Sequence, residues 1–430
     1  MPVSVEKKTV KVKAKSRSSD KEKLREIEAE LIDYGDSQVG NVIISAAAAT
    51  FLLKGEDRHQ VISLTEDETF RTCQKKLRCE PRMAAFVGVF DGHDTDMASE
   101  YCSKGMVPHI LSELTGQSVQ RGSQMWNIMG PDRANAPLAF DTIDDPTHSD
   151  MEIPFIAAFQ KAHERFANKM DPPTFDDLSK LGGTPIKVAP PTSLNPMQWM
   201  ATSPEPQRGG TTACVMSVFT ELGEDQPTVV VANTGDSRLI TDDASGTHRY
   251  RQVTTDHRPS NPAEKKRLTE AVARGETTLH RSAEHRDARI FPGGLAVSRT
   301  IGDITSSKSV ICTPEVVNVP LKIGIEDGME RTQRFVVATD GLWDVVENEA
   351  VGKAASRNSK NATVKRRKSS DGVSRSKSPV RRTGSVTSSA KEAKRTSPKE
   401  AAMKILQICL DAGGSRDDIT ICVVDVTRAL

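Results

Sequence analysis

The chain has 430 residues, with 59 Lys and Arg against 58 Asp and Glu, and its net charge of +1 predicts no strongly polarised partner for the molecule as a whole. Hydrophobic residues make up 36% and aromatics 4%, so polar sequence dilutes a core that must be built from Val, Ile, Leu and Ala. No apolar run is long enough to cross a bilayer, "MPVSVEKKTVKVKAK" lacks a signal-peptide core, and Pro2 excludes N-myristoylation. The seven cysteines are scattered without a C-x-x-C pair, as expected of reduced thiols, and the expected location is cytoplasmic and/or nuclear.

In chain order, residues 1–25 are Lys-rich and are predicted to form a disordered basic arm, with a short amphipathic helix over "KEKLREIEAELIDYG". Apolar runs of strand length follow: "NVIISAAAATFLL", "AAFVGVF", "TTACVMSVF", "TVVVANTG", "RFVVATDG" and "ITICVVDV". Helical periodicity marks "TDMASEYCSKGMVPHILSEL", "MEIPFIAAFQKAHERFANKM", "NPAEKKRLTEAVARG" and "SPKEAAMKILQICLDAGG", the last with Ser397 as N-cap and Pro398 at its first position. The strand runs recur to the end of the chain, which argues for one α+β domain over 26–430, with mostly antiparallel sheets covered by helices on both sides. Three inserts interrupt it: 115–150, the Pro-rich 171–207, and 356–399, a Ser-rich segment with 14 basic residues against Asp371 and Glu392 that is expected to be disordered.

The stretch "FVGVFDGHDTD" ends a strand run in Asp91, Gly92, His93, Asp94 and Asp96. "VVVANTGDSR" ends in the same way at Asp236 and "FVVATDGLWD" at Asp340 and Asp344, while "SRDDIT" places Asp417 and Asp418 before the last strand and "KGEDRH" adds Glu56 and Asp57. Acidic residues closing several strands can converge at one end of a sheet, where their charges need divalent cations. An all-oxygen donor set suits Mg2+ or Mn2+, and two such ions about 4 Å apart can activate a bridging water for in-line attack on phosphorus. The residues therefore point to a two-metal hydrolase of phosphate esters.

The ordered series "EDRH", "FVGVFDGH", "GGTTACV", "ANTGDSRLI", "TTDHRPSNPAEKKRL", "LAVSRTIGD", "PEV", "FVVATDGLWDVV" and "SRDDITICVVDV" resembles the metal-dependent protein phosphatases of the protein phosphatase 2C family. The resemblance implies a four-layer α-β-β-α sandwich and hydrolysis of phosphoserine and phosphothreonine in phosphoprotein substrates, with Mg2+ or Mn2+ at two sites and a third, weaker one. By the same resemblance Asp91 bridges both metals and the Gly92 carbonyl binds one of them. Glu56 belongs to that metal's site, partly through water, and Asp57 backs it without touching the ion. Asp340 and Asp417 hold the other metal, Asp256 joins Asp340 and Asp344 at the third, and His93 is the general acid that protonates the leaving oxygen. Asp236, Arg238, Arg299 and Asp303 are read as bracing residues, and Asp418 as a polar neighbour at a position where the family usually has Asn.

Two features depart from the family pattern. The family commonly places a phosphate-binding arginine four residues before the metal-site glutamate, where this chain has Leu52, and Lys54 replaces that fork only in part. The family's two glycines after "DGH" are here Asp94 and Thr95, and Asp94 is read as a helix cap. The departures predict weaker or differently supplied phosphate capture, and the alternative reading is a pseudophosphatase that serves as a binding or regulatory protein. The basic segment 356–399, with "KRRK", "SKSPV" and "RTSPK", is a candidate for kinase or import-factor recognition, and its lack of interleaved aromatics speaks against nucleic acid. A monomer without membrane contact is expected.

Overall fold

The computed structural model describes residues 5–16, 23–63, 67–77, 82–114, 151–180, 208–220, 227–242, 250–281, 283, 288–321, 323–326, 329–357, 395–412 and 417–429. The Val-, Ile- and Ala-rich runs form strands because branched side chains pack well on a pleated, buried surface. In chain order the strands are β1 (Glu6–Ser16), β2 (Lys23–Val39), β3 (Val42–Phe51), β4 (Arg58–Ser63), β5 (Arg82–Phe90), β6 (Gly92–His93), β7 (Gly210–Thr211), β8 (Ala213–Thr220), β9 (Thr228–Thr234), β10 (Arg238–Asp242), β11 (Tyr250–Gln252), β12 (Thr278–His280), β13 (Arg289–Phe291), β14 (Ile301–Gly302), β15 (Glu315–Pro320), β16 (Gly324–Glu326), β17 (Met329–Ala338) and β18 (Ile419–Arg428). Helices include Glu68–Leu77, Met97–Leu114, Glu152–Ala167, Pro262–Ala273, Asn348–Ala355 and Pro398–Asp411.

One sheet runs β1-β2-β3-β18-β17-β10-β11, with β16 paired to β17, and a second runs β15-β9-β8-β5-β4. Every paired strand in these two sheets is antiparallel to its neighbour. Side chains alternate across the large sheet, as the two-residue period requires. Ile421 and Val423 pack with Ile405, Leu406 and Cys409 of helix Pro398–Asp411, while Cys422 and Val424 join Phe86, Val215 and Val231 of the second sheet. The same core continues into Ile110 and Phe159 on helices Met97–Leu114 and Glu152–Ala167. The result is the expected four layers, helix, sheet, sheet, helix.

The amino-terminal segment corrects the sequence reading. The described part of the stretch assigned to a disordered basic arm and an amphipathic helix forms β1 and β2, a hairpin in register from Glu6 opposite Asp33 to Ser16 opposite Lys23. The period is two and not 3.6: Val10 and Val12, and Ile27, Ala29 and Leu31, turn to one face and pack in the cluster under helix Pro398–Asp411. Lysines occupy the alternate positions of an edge strand, a charge pattern that discourages further pairing. The domain boundary drawn at residue 26 therefore moves into the first strand.

The insert at 115–150 lies outside the described residues. Of 171–207, read as loop, residues 171–180 contain a helix at Phe175–Lys180. Thr174 exchanges hydrogen bonds with Asp177 at its start, and the Phe175 ring lies 5.6 Å from that of Phe70. Of 356–399, residues 358–394 lie outside the described residues, while Ser397 caps helix Pro398–Asp411 as predicted, and Glu400 completes a capping box with it. The chain ends that flank this insert are held together. Arg334, wholly buried, pairs with Asp425 at 2.6 Å and donates to the Ala355 and Thr396 carbonyls, and the Thr396 amide donates to the Arg357 carbonyl. Six cysteines are buried thiols outside any disulfide, and Cys79 lies outside the described residues. Among the described residues no helix is long and apolar enough to cross a membrane.

Candidate active site

Antiparallel pairing fixes which loops meet. In the large sheet Phe51 lies opposite Ile419, Ile421 opposite Ala338, and Ala338 opposite Arg238. The end of β3, the start of β18, the end of β17 and the start of β10 thus share one edge. In the second sheet Phe90 faces Arg58, Val89 faces Cys214, and Ala213 faces Thr234. Because the segments 52–57 and 235–237 each pass from one sheet to the other, the two edges are the same end of the sandwich. Glu56, Asp57, Asp91, Asp236, Asp340, Asp417 and Asp418 all leave the strands there.

The carboxylates at this end are electrostatically linked. Asp91 and Asp340, delivered by different sheets, share a side-chain hydrogen bond. Burial pushes both well above the usual carboxylate range; the charges of Asp57, Asp236 and Asp417 add to the effect at Asp91, and those of Asp91, Asp236 and Asp344 at Asp340. Asp57 is buried and rises to about 8, chiefly through desolvation, although Thr339 donates to it at 2.9 Å. Burial also raises Glu56, with Lys54 opposing and Asp417 and Asp418 reinforcing the shift.

Two cations meet these charges. One guanidinium nitrogen of Arg258 lies 2.7 Å from Asp236, 3.1 Å from Asp340 and 2.9 Å from Asp344. The Lys54 ammonium lies 2.6 Å from Asp417 Oδ1. Arg58, in contrast, is engaged by Asp96 and Glu100 at 2.6 Å each and by the Gly55 and Asp57 carbonyls, so it fastens the 55–57 loop to the start of helix Met97–Leu114. Gly92 has no room for a side chain, since a Cβ there would meet the Glu56 carbonyl oxygen at 2.5 Å and Ser99 Oγ at 2.8 Å.

Next to Asp91 and Gly92, the His93 Nε2 lies 2.7 Å from Asp303 Oδ2. Burial depresses the imidazole, but the hydrogen bond and charge of Asp303 outweigh this and hold its pKa above the ordinary value. Among the described residues no three Asp, Glu, His or Cys side chains are closed around one point as metal ligands would be. The donor set nevertheless fits a hard divalent cation: it is all oxygen, buried carboxyls from the two sheets crowd together there, and Arg258 and Lys54 already occupy it as cations.

Residues 157–415, more than half of the chain, match the family model described as protein phosphatase 2C. The chain belongs to the protein phosphatase 2C family. It is 33% identical over 157 residues to the probable protein phosphatase 2C 3 of Oryza sativa subsp. japonica, covering 36% of this chain and 30% of that one. It is also 34% identical over 148 residues to protein phosphatase 2C 3 of Arabidopsis thaliana, covering 34% and 28%. The chain spans about a third of the length of these curated relatives. A solved phosphatase from Toxoplasma gondii is 14% identical, with a TM-score of 0.49 over 89% of this chain and 92% of that one.

In this phosphatase 2C chain, Asp91, Asp340, Asp417, Glu56, Asp57 and Gly92 all lie at the same end of the sandwich. Asp256 lies near the Arg258 flank of this site, since its charge acts on Arg258 together with those of Asp236, Asp344 and Asp340. Its carboxylate is held by both Nε and a terminal nitrogen of Arg238, at 3.0 and 2.6 Å, and accepts from Gln252. Asp236, read as a bracing residue, is the one that Arg258 joins to Asp340 and Asp344, and it is buried. The signal was present, because "ANTGD" closes a strand run just as the runs before Asp91 and Asp340 do. Asp303, also read as bracing, contacts His93 directly, a pairing across 210 positions that no local pattern reveals. Asp94 does not cap a helix: it sits at φ 65°, the left-handed region that favours glycine, and Thr95 Oγ1 accepts from the Met97 amide.

Proposed function

We propose that this chain hydrolyses phosphoserine and phosphothreonine in proteins at the acidic end of its sandwich, using Mg2+ or Mn2+. The observation that carries the reading is the Asp91–Asp340 contact: two buried carboxyls from different sheets are pressed into one hydrogen bond beside Asp236, Asp344 and Asp417. Asp91, Asp340, Asp417 and Glu56, with the Gly92 carbonyl, would hold the ions, and Asp236 and Asp344 form the flank now bridged by Arg258. When bound, such ions supply Lewis-acid charge to phosphate oxygens and make water more acidic.

The remaining roles fall to the chain's own groups. His93 donates the proton to the departing seryl or threonyl oxygen, and Asp303 orients the ring and stabilises the imidazolium form. Lys54 brings an ammonium to the mouth, where it draws an anionic phosphate inward. Leu52, half exposed, supplies no charge there, so capture rests on a point charge and not on a guanidinium fork. The reading is tested with phosphoserine, phosphothreonine and phosphotyrosine peptides in the presence and absence of Mn2+. Mn2+-dependent phosphate release from the first two, abolished in Asp340→Ala, supports it, and release that ignores chelation of the metal overturns it.

A further inference from the structure

Asp418 does more than stand beside a ligand. Its Oδ1 accepts the Leu53 amide at 2.5 Å and the Lys54 amide at 2.6 Å, while Oδ2 accepts the Glu56 amide at 2.7 Å and the Asp57 amide at 3.1 Å. Four donors of one loop, skipping only Gly55, therefore close on a single carboxylate that directly precedes β18, 361 or more positions away. The anchor is itself fixed, because the next residue, Ile419, begins β18 opposite Phe51, the last residue of β3. On the other side Gly341 packs so closely on the Asp418 carbonyl that no side chain fits there.

We infer that Asp418 is a positioning residue, an anion seated in a ring of backbone amides that sets the height and direction of Glu56 and Asp57 at the acidic site. In this chain both carboxylate oxygens accept, two amides each, which the asparagine usual at this position in the family cannot reproduce. An asparagine side chain has one acceptor oxygen, and its NH2 group would face two N–H donors of the same sign. Loop 53–57 would then keep half of its ties, although Arg58 would still hold the Gly55 and Asp57 carbonyls. Groups that support metal ligands from behind typically change metal affinity by about 10- to 100-fold when lost. The inference rests on the divalent-cation reading only in its consequence for metal affinity; the cradle itself does not need the metal.

The test compares Asp418→Asn with the parent chain. In metal-free protein, amide hydrogen exchange at Leu53, Lys54, Glu56 and Asp57 should accelerate on the order of 10-fold or more in the variant, while β3 and β18 stay protected. Mn2+ titrations followed by calorimetry should show affinity lowered by about 10- to 100-fold, with phosphate release approaching the parent rate at saturating Mn2+. Unchanged exchange at these four amides in a folded variant overturns the inference, and so does unchanged Mn2+ affinity. If the variant does not fold, the parent decides: amides 53, 54, 56 and 57 exchanging as fast as an open loop would contradict the cradle. A parent that binds no Mn2+ would overturn the proposed metal site instead, while exchange in the variant still decides the cradle.

Discussion

His93 and Asp303 meet through a 2.7 Å hydrogen bond between Nε2 and Oδ2, packed over Gly210 so tightly that a Cβ at that glycine would strike both partners. The contact gives Asp303 a role that depends on the leaving group. Asp303→Asn should slow hydrolysis of a phosphothreonine peptide by about 10- to 100-fold, less than the roughly 100- to 10,000-fold of losing a general acid outright. An aryl phosphate, whose phenolate departs without a proton, should react at nearly the parent rate. Equal losses on both substrates, measured as kcat, would mean that Asp303 supports the loop and not the acid.

Arg258 binds three carboxylates at once from a position only 14% exposed. Removing it in Arg258→Ala leaves buried negative charges facing one another, which in metal-free protein should cost about 3–5 kcal/mol of unfolding free energy. Saturating Mn2+ should restore a large part of that loss, since a bound cation stabilises the folded state by mass action. Urea unfolding with and without Mn2+ checks this, and an identical loss in both conditions would show that the two cations do not act on the same charges.

Leu52 is 46% exposed at the mouth, two positions from Lys54, so a longer side chain has room there. Leu52→Arg should raise kcat/KM on a phosphothreonine peptide by roughly 10- to 100-fold, the equivalent of a charge-assisted hydrogen bond worth about 1.5–3 kcal/mol. Lys54→Ala should lower it. Steady-state kinetics at saturating Mn2+ measures both, and a Leu52→Arg variant no better than the parent would show that phosphate is already held elsewhere.

His109 is buried with its ring 3.3 Å from the Tyr101 hydroxyl, and desolvation, aided by Arg165 and Lys161, brings its pKa down to about 3 from 6.5. In the unfolded chain the ring gains its proton near 6.5, so its contribution is fully present above that pH and is lost progressively as pH falls toward 3. Replacing it with a neutral glutamine should make unfolding free energy fall less steeply below 6.5, by about 1.4 kcal/mol per pH unit relative to the parent. Denaturant unfolding at several pH values gives the difference in slope, and parallel pH curves would contradict a neutral, buried His109.

What was legible in the sequence was whatever the chain repeats locally. Strand runs that end in acids located Asp91 and Asp340, the acids before the last strand located Asp417, and Ser397 before Pro398 located a helix start. The pairing of Asp236 with Arg258 and of Asp256 with Arg238 could not be told apart, because all four residues lie in acid-base pairs within one short stretch. Long-range contacts such as His93 with Asp303, or Asp418 with the 53–57 amides, depend on how two sheets are brought together. In β1 the run of lysines concealed a two-residue apolar period, which becomes decisive only when helix Pro398–Asp411 covers Val12 and Leu31.

The most direct test of the account is phosphate release from a phosphothreonine peptide by protein first stripped of metal and then titrated with Mn2+. The account predicts negligible release without the ion, saturable recovery with it, and loss of recovery in Asp91→Asn, whose side chain keeps its size but not its charge. Release that persists in the stripped protein, or an Asp91→Asn variant that recovers fully, would contradict it.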